Sequence, residues 1–414
     1  MNDATPDLPA APLHLAVIGA GPVGLALALQ AARALPDAQV SLFDARAADK
    51  DIAGDPRTLA LSLGSVQLLE RLGVWPAELA QPILEVHVSQ QPPSLLPLLG
   101  DRFGEPELRI RALDEAVPML GAVLSYGSIT ARLQSAWLQA EAGEPQRLRS
   151  RFGQPVAALK NLDRGVEIDA GIAERFDLAI VAEGGVFAEQ AHKPPTLRQR
   201  TPIRRDYHQT AWVGRVGFEP AAEPRANGVA FERFTRHGPA ALLPLKDGGA
   251  GLVWCVTRDD DPVRELSDAQ RIAVLNNVFH PAAGRIESIS PLKDFALGLS
   301  AERSLTDGRT VRIGNAAQTL HPVAGQGLNL GLRDAFELVR ALARQRDVDA
   351  VLRRLEWRRG PDRWAMIAAT DFLARSFTWQ LPGAGAARGL GLAALQVLGP
   401  VRSALARRMM FGSR

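Results

Sequence analysis

The sequence predicts an α/β chain in two parts. One is a doubly wound half on a parallel sheet. The other is an inserted, largely antiparallel sheet, and helices follow at the C-terminal end. Three observations carry this. Short apolar runs near the start alternate with helical patterns, as buried parallel strands do. Residues 207 to 257 hold successive strand patterns with no helix between them. A glycine-rich loop, Gly314 to Gly331, then follows a strand and opens a long helical pattern.

Composition narrows the class. Of 414 residues, 46% are hydrophobic and 22% charged, ordinary for a globular chain of two or more domains. A net charge of +3 gives no strong pull on nucleic acid, so no nucleic-acid partner is expected. The one cysteine, Cys255, lies in the strand-like Gly251 to Thr257, which rules out an internal disulfide framework and a Cys/His metal cluster; no metal is expected. This usage fits a reducing cytoplasm. Met1 to Pro12 has neither the basic nor the apolar region of a signal peptide. No uncharged apolar run reaches about 18 residues, so no transmembrane helix is expected.

Taken in order, Leu13 to Gly19 reads as a buried strand, and Gly19-Ala-Gly-Pro-Val-Gly24 opens a helix from Pro22 to Leu35. Gln39 to Phe43 is the next strand, ended by Asp44, 20 positions after Gly24 (44 − 24), where a ribose-binding acid belongs. Gly19 permits the tight turn, Gly21 lets a pyrophosphate approach, and Gly24 lets the helix pack on the strand. Strand, motif, helix, strand and acid together form a Rossmann-like dinucleotide site. Asp55 to Ser62 leads into a helix ending at Leu72, and Glu85 to Ser89 is strand-like. Leu120 to Gly127 leads to a helix from Ser128 to Glu141, with Ser128 as its opening residue. Phe176 to Ala182 is a buried strand running into Glu183-Gly184. Strands over 207–216, 227–236, 240–244 and 251–257 form the second sheet, Ser267 to Phe279 is a helix, and Pro291 to Leu299 leads back to the first half.

The loop after strand Arg309 to Ile313 is Gly314-Asn-Ala-Ala-Gln-Thr-Leu-His-Pro-Val-Ala-Gly-Gln-Gly-Leu-Asn-Leu-Gly331. Small residues let backbone approach something flat, and the helix start behind them, Leu328 onward, offers free N–H groups. Helices over 328–346, 350–359 and 361–376 follow. The last part, Leu381 to Phe411, is apolar with Arg402, Arg407 and Arg408 flanking a stretch too short to span a bilayer. It serves either as a surface helix for membrane or partner, or as a helix packed on the body.

This loop resembles the second FAD motif of the aromatic-ring flavin hydroxylases. As a whole, Gly314 to Gly331 is closest to the ubiquinone-biosynthesis branch, and Asn315 with Gln318, in place of the Asp and His of sister hydroxylases, favours the methoxyphenol step within it. The resemblance implies a p-hydroxybenzoate hydroxylase-like fold, with 1–80, 98–188 and 285–378 binding FAD. Residues 81–97 and 189–284 would form the substrate sheet, and 379–414 a C-terminal helical segment. It also implies that Arg57 reaches the cofactor phosphates, that Ser128 touches the phosphate side, and that Glu183 and Gly184 stand where the family has Asp-Gly. Gly314, Asn315, Gly325, Gly327, Leu328 and Asn329 complete the FAD set, with the amides of Leu328 and Asn329 stabilising charge on the flavin pyrimidine. His321 and Pro322 are the candidates for catalysis; His321 either aids phenol deprotonation or braces the Pro322 turn, and the bracing role is favoured.

The activity implied is an FAD-dependent aromatic monooxygenase. It would use NADPH or NADH and O2 to hydroxylate the ring of 2-polyprenyl-6-methoxyphenol through a flavin C4a-hydroperoxide. The alternatives are hydroxylation at another ring carbon of the same pathway and a flavin reductase of a prenyl lipid. The implied partners are the polyprenylated phenol and other ubiquinone-biosynthesis proteins. The implied location is the cytoplasm, peripheral on the inner face of the membrane.

Overall fold

The architecture is that of a computed structural model, which describes residues 12–91, 107–184, 201–220, 227–322, 325–376 and 384–412. The expected boundaries at 97/98, 188/189 and 378/379, and the expected crossover over 189–200, lie outside the described residues.

The first half is built on a six-stranded sheet. Its order is Thr306–Asp307, Thr310–Arg312, Leu178–Val181, His14–Ile18, Gln39–Asp44, Leu148–Phe152, and all pairs but the first are parallel. The central strands are buried along their length, as sheets covered on both faces require. Helix Pro22–Ala34 packs on helices Tyr126–Gly143 and Gln326–Arg344 over one face, around Leu25, Leu29, Leu133 and the fully buried Trp137. The antiparallel meander Ala158–Leu162, Gly165–Asp169, Ala173–Phe176 covers the other. A small sheet, Thr58–Ser62, Gly121–Ser125 and Gln81–Ile83, joins this half to the next.

The large sheet has nine strands. Ile203–Phe218 is its spine and pairs with Ala250–Thr257 on one side and Lys293–Ala301 on the other. Gly238–Pro244, Val229–Thr235, Glu85–Gln90 and Glu107–Arg111 extend it. Helix Asp268–Val278, started by a Ser267–Gln270 capping box, covers its outer face over Trp212, Trp254 and Leu252. Four strands fall outside the ranges expected for this sheet: Glu107–Arg111, Ile286–Ile289, Lys293–Ala301 and Gln318–Thr319. Segment 291–299 therefore does not return directly to the parallel half. It pairs along the spine because backbone groups entering a sheet edge are satisfied by a partner strand.

The expected break between helices at 359–361 is also absent. Val348–Ser376 is one helix with Pro361 inside it. Proline removes one helical hydrogen bond, but buried neighbours hold the two halves together. The Arg359 guanidinium pairs with Asp334 and Asp362 at 2.7 Å each. Arg363 donates to Gln318 Oε1 at 2.5 Å and to the carbonyls of Glu302 and Ala317. The C-terminal segment forms helices Ala384–Val397 and Gly399–Phe411; from Ala387 they meet at 94°. No single helix among the described residues is long and apolar enough to cross a membrane.

Candidate active site and cofactor cleft

One cavity of about 2220 Å³ lies between the two halves. It exceeds the roughly 300–1,000 Å³ of a site for a single small ligand, so it has room for a cofactor and a second molecule.

Backbone forms the wall on the parallel-sheet side. Gly19 has φ +102°, and a Cβ there would press on the Glu183 amide at 2.8 Å. A Cβ on Gly24 would strike the Gly19 carbonyl oxygen, so Gly24 is a packing residue off the cavity wall. Gly21 is the N-cap of helix Pro22–Ala34 and faces the cavity with no side chain capping that helix. The Asp44 carboxylate accepts from the amides of Ala20 and of Arg46, the latter at 2.7 Å, and so pins the glycine turn to its strand. A Cβ on Gly184 would meet nothing within 4 Å.

A second helix start meets the same cavity. Gly325, at φ +59°, is the N-cap of helix Gln326–Arg344, and no side chain caps it. The helix begins two residues before the expected Leu328. By the geometry of a helix start, the N–H groups available to a ligand then belong to Gly327 and Leu328. Asn329 falls on the fourth position, where its amide completes the first turn, and this corrects its expected role. Its side chain instead staples the site: Oδ1 accepts from Ser62 N and Ser65 Oγ, while Nδ2 donates to the carbonyls of Ala60 and Gly325. Asn315 lines the cavity next to Gly327, its Oδ1 3.5 Å from where a Gly327 Cβ would sit. Gly314, off the wall, provides the close crossing with Val23 and Gly331.

Arg57 lines the mouth, held by Asp55 through Nε and Nη2 and lying 4.1 Å from the centre of the Tyr126 ring. The pairing pulls the Asp55 carboxyl below its usual range. Ser128 is not on the wall. Its helix starts at Tyr126, its N-cap is Ser125, and Ser128 donates its amide to Ser125 Oγ at 3.1 Å. Tyr126, two residues earlier, reaches the cavity in its place.

His321 and Pro322 line the cavity where the loop meets the large sheet. His321 is 1% exposed, and burial lowers its proton affinity to about 4. Gln209 Oε1, at 2.9 Å from His321 Nε2, can only accept, so the neutral ring carries its proton on Nε2. Tyr207 packs edge-on at 5.4 Å, its hydroxyl donating to Asp371 at 3.1 Å.

Two wall residues were missed from sequence. Arg46 donates to Gln134 Oε1 and Ala20 O, and its buried Nη1 has no partner among the described residues; its nearness to Asp44 was the available signal. Glu232 stands on the large-sheet wall, and enclosure pushes its carboxyl up to about 8. The signal was an acid alternating with Ala230 and Phe234.

The remaining wall is mainly apolar, with Arg204, Ser300 and Glu302 among its polar members. Ala211, Val213, Leu243 and Val253 come from the sheet, and Leu392, Leu395 and Met410 from the C-terminal helices. The opposite wall fits FAD: two uncapped helix starts, bare glycines and the unsatisfied Nη1 of Arg46 suit a diphosphate and an electron-rich ring.

A family model for an FAD binding domain matches residues 196–368. The chain is 30% identical to ubiquinone hydroxylase UbiL of Rhodospirillum rubrum over 95% of this chain and 88% of that protein. It is 28% identical to 3-demethoxyubiquinol 3-hydroxylase of Escherichia coli over 94% and 96%. Among solved structures, HpxO of Klebsiella pneumoniae complexed with FAD and uric acid matches with a TM-score of 0.71 at 16% identity, over 97% of each chain, a likeness of fold. A cleft built for FAD and a likeness running through nearly the whole sequence lead to one conclusion: the chain belongs to the family of FAD-dependent ring hydroxylases of ubiquinone biosynthesis.

Proposed function

We propose that the protein hydroxylates the ring of 2-polyprenyl-6-methoxyphenol, with NADPH or NADH as electron donor and O2 as oxidant. One observation carries this reading: a single cavity has a backbone-lined cofactor end and an apolar end walled by the C-terminal helices. A phenol with a long hydrocarbon tail matches that division. Bound FAD supplies the oxygen-activating chemistry.

The chain's own residues bind, orient and exclude water. Gly19, Gly21 and the helix start at Pro22 receive the diphosphate, Asp44 the ribose, and Arg46 and Arg57 add positive charge. The amides of Gly327 and Leu328 stabilise negative charge at the flavin pyrimidine. His321, neutral and bonded to Gln209, braces the Pro322 turn rather than moving a proton.

The bend at Val397–Leu398 supports docking on the inner face of the cytoplasmic membrane. Val397 is 82% exposed and Val401 50%. Beside it Ser403 and Arg407 hold Glu115, and Arg402 reaches Asp114, so the helix stays fixed to the body.

The test is the mass of the lipid that accumulates when the protein is removed from its cell. A polyprenyl-methoxyphenol lacking one ring oxygen is the expected result. An earlier or later ring intermediate would move the reaction to another carbon, as the name of the Escherichia coli relative suggests. Product formed by purified enzyme without O2 would point to a reductase.

A further inference from the structure

We propose that Glu232 holds the ring hydroxyl of the phenol substrate and takes up its proton during oxygenation. This deepens the preceding reading and rests on it. Strand Val229–Thr235 alternates its faces. Ala230, Glu232 and Phe234 line the cavity, while Arg233 donates from Nε to the Val278 carbonyl behind the sheet at 3.0 Å. On the cavity face Glu232 sits in a row with Ala241, Val253 and Val213, and Val88 is its neighbour on the parallel strand. Cys255 faces it from the same wall, where burial and Glu232 itself keep that thiol protonated; Arg204 and Glu302 are further titratable groups lining the cavity.

No hydrogen bond or ion pair engages the Glu232 carboxyl among the described residues, and enclosure alone accounts for its raised proton affinity. An acid placed on an apolar wall without a protein partner weakens the fold, and a ligand that pairs with it explains its presence. That ligand must bring one polar group into apolar surroundings. A prenylated methoxyphenol brings one hydroxyl.

The ionised carboxylate accepts the ring O–H hydrogen bond. As the O–H bond breaks, the proton moves to Glu232 and the electron pair left on the ring oxygen flows into the ring, whose carbon bonds one oxygen of an O2 already reduced by two electrons from NADPH or NADH; the O–O bond breaks, and the other oxygen leaves with the bonding pair and ends as water. The ring carbon then gives up its own proton to solvent, the ring regains aromaticity, and Glu232 returns its proton to the ring oxygen. The electrons lost by the ring are accepted by the transferred oxygen. A proton affinity near working pH suits a group that must both take and return a proton.

The test uses the full chain loaded with FAD, titrated with 2-prenyl-6-methoxyphenol and with its methyl ether, and read by flavin absorbance. Wild type should bind the phenol at least about tenfold more tightly than the ether. Glu232→Leu should erase that preference by weakening the phenol. Glu232→Gln, whose amide still accepts, should keep the preference while kcat falls at least about tenfold. A Leu variant that keeps both its FAD spectrum and the preference overturns the proposal. So does a Gln variant with unchanged kcat, which decides the matter if the Leu variant fails to fold. Wild-type protein that binds neither compound would instead sink the substrate reading.

Discussion

The two walls of the cavity recognise by different physics. The parallel-sheet wall offers backbone: glycines at 19, 21 and 184 and two helix starts without side-chain caps. The large-sheet wall offers side chains, apolar apart from a few such as Glu232. Backbone recognition demands residues without Cβ atoms at fixed spacing, because the partner must come within hydrogen-bond reach of the chain itself. Side-chain recognition demands only shape and the placement of a polar atom, and tolerates exchange of one aliphatic for another. The first wall is therefore fixed by motif, and the second by which face of a strand a residue occupies.

Breaking the packing directly behind the backbone wall should cost most. Gly24→Val drives a side chain into the Gly19 carbonyl, and a loss above about 3 kcal/mol is expected, with loss of bound flavin, in thermal unfolding and visible absorbance. The seam between the walls comes next. His321 has a folded-state value near 4 against an ordinary 6.5, so between those pH values the unfolded chain binds a proton that the folded chain refuses. Stability contributed by this site is full above pH 6.5 and falls as pH drops, by about 3 kcal/mol near pH 4. In urea unfolding at pH 7 and pH 4.5, His321→Gln should lack that component of the slope.

On the side-chain wall the sign reverses. The folded-state value of Glu232 is raised to about 8, so its stabilising effect is full below about 4.5 and is lost as pH rises through 8. Glu232→Leu should therefore gain stability over wild type at pH 8 and gain less at pH 5. Calorimetry at the two pH values checks this.

Gly21→Ala sharpens the contrast. The added methyl meets only the Tyr126 hydroxyl at 3.3 Å, so the fold should hold while the FAD Kd rises about tenfold by titration calorimetry. The smallest effect should lie outside both walls. Val397→Asp with Val401→Asp should weaken flotation with anionic vesicles severalfold, about 1 kcal/mol, and leave flavin content unchanged.

The same contrast explains what was legible. Gly19, Gly21, Gly24 and Asp44 stand where the spacing put them, because one strand–turn–helix unit carries them all. A helix start at Leu328 was legible, but the register was not: Gly325 in the left-handed region begins the helix two residues earlier, which brings Gly327 into the amide set and moves Asn329 out of it. Ser128 failed for a similar reason, since Ser125 is an equally good cap and precedes it. Arg46 and Glu232 carried only a faint local signal, nearness to Asp44 for the first and alternation with Ala230 and Phe234 for the second. The unmet donor of the first and the unpartnered acid of the second arise from contacts with residues far away in sequence.

By itself the sequence determined the parallel-sheet half, the FAD motifs and the family, because local spacing of glycines, strands and helix starts carries that chemistry. Only the tertiary structure decided the rest. It put strands 107–111 and 293–301 into the large sheet, kept residues 348–376 as one helix through Pro361, and set Glu232 inside an apolar wall. Each depends on long-range pairing and enclosure, which a residue's neighbours in sequence do not encode.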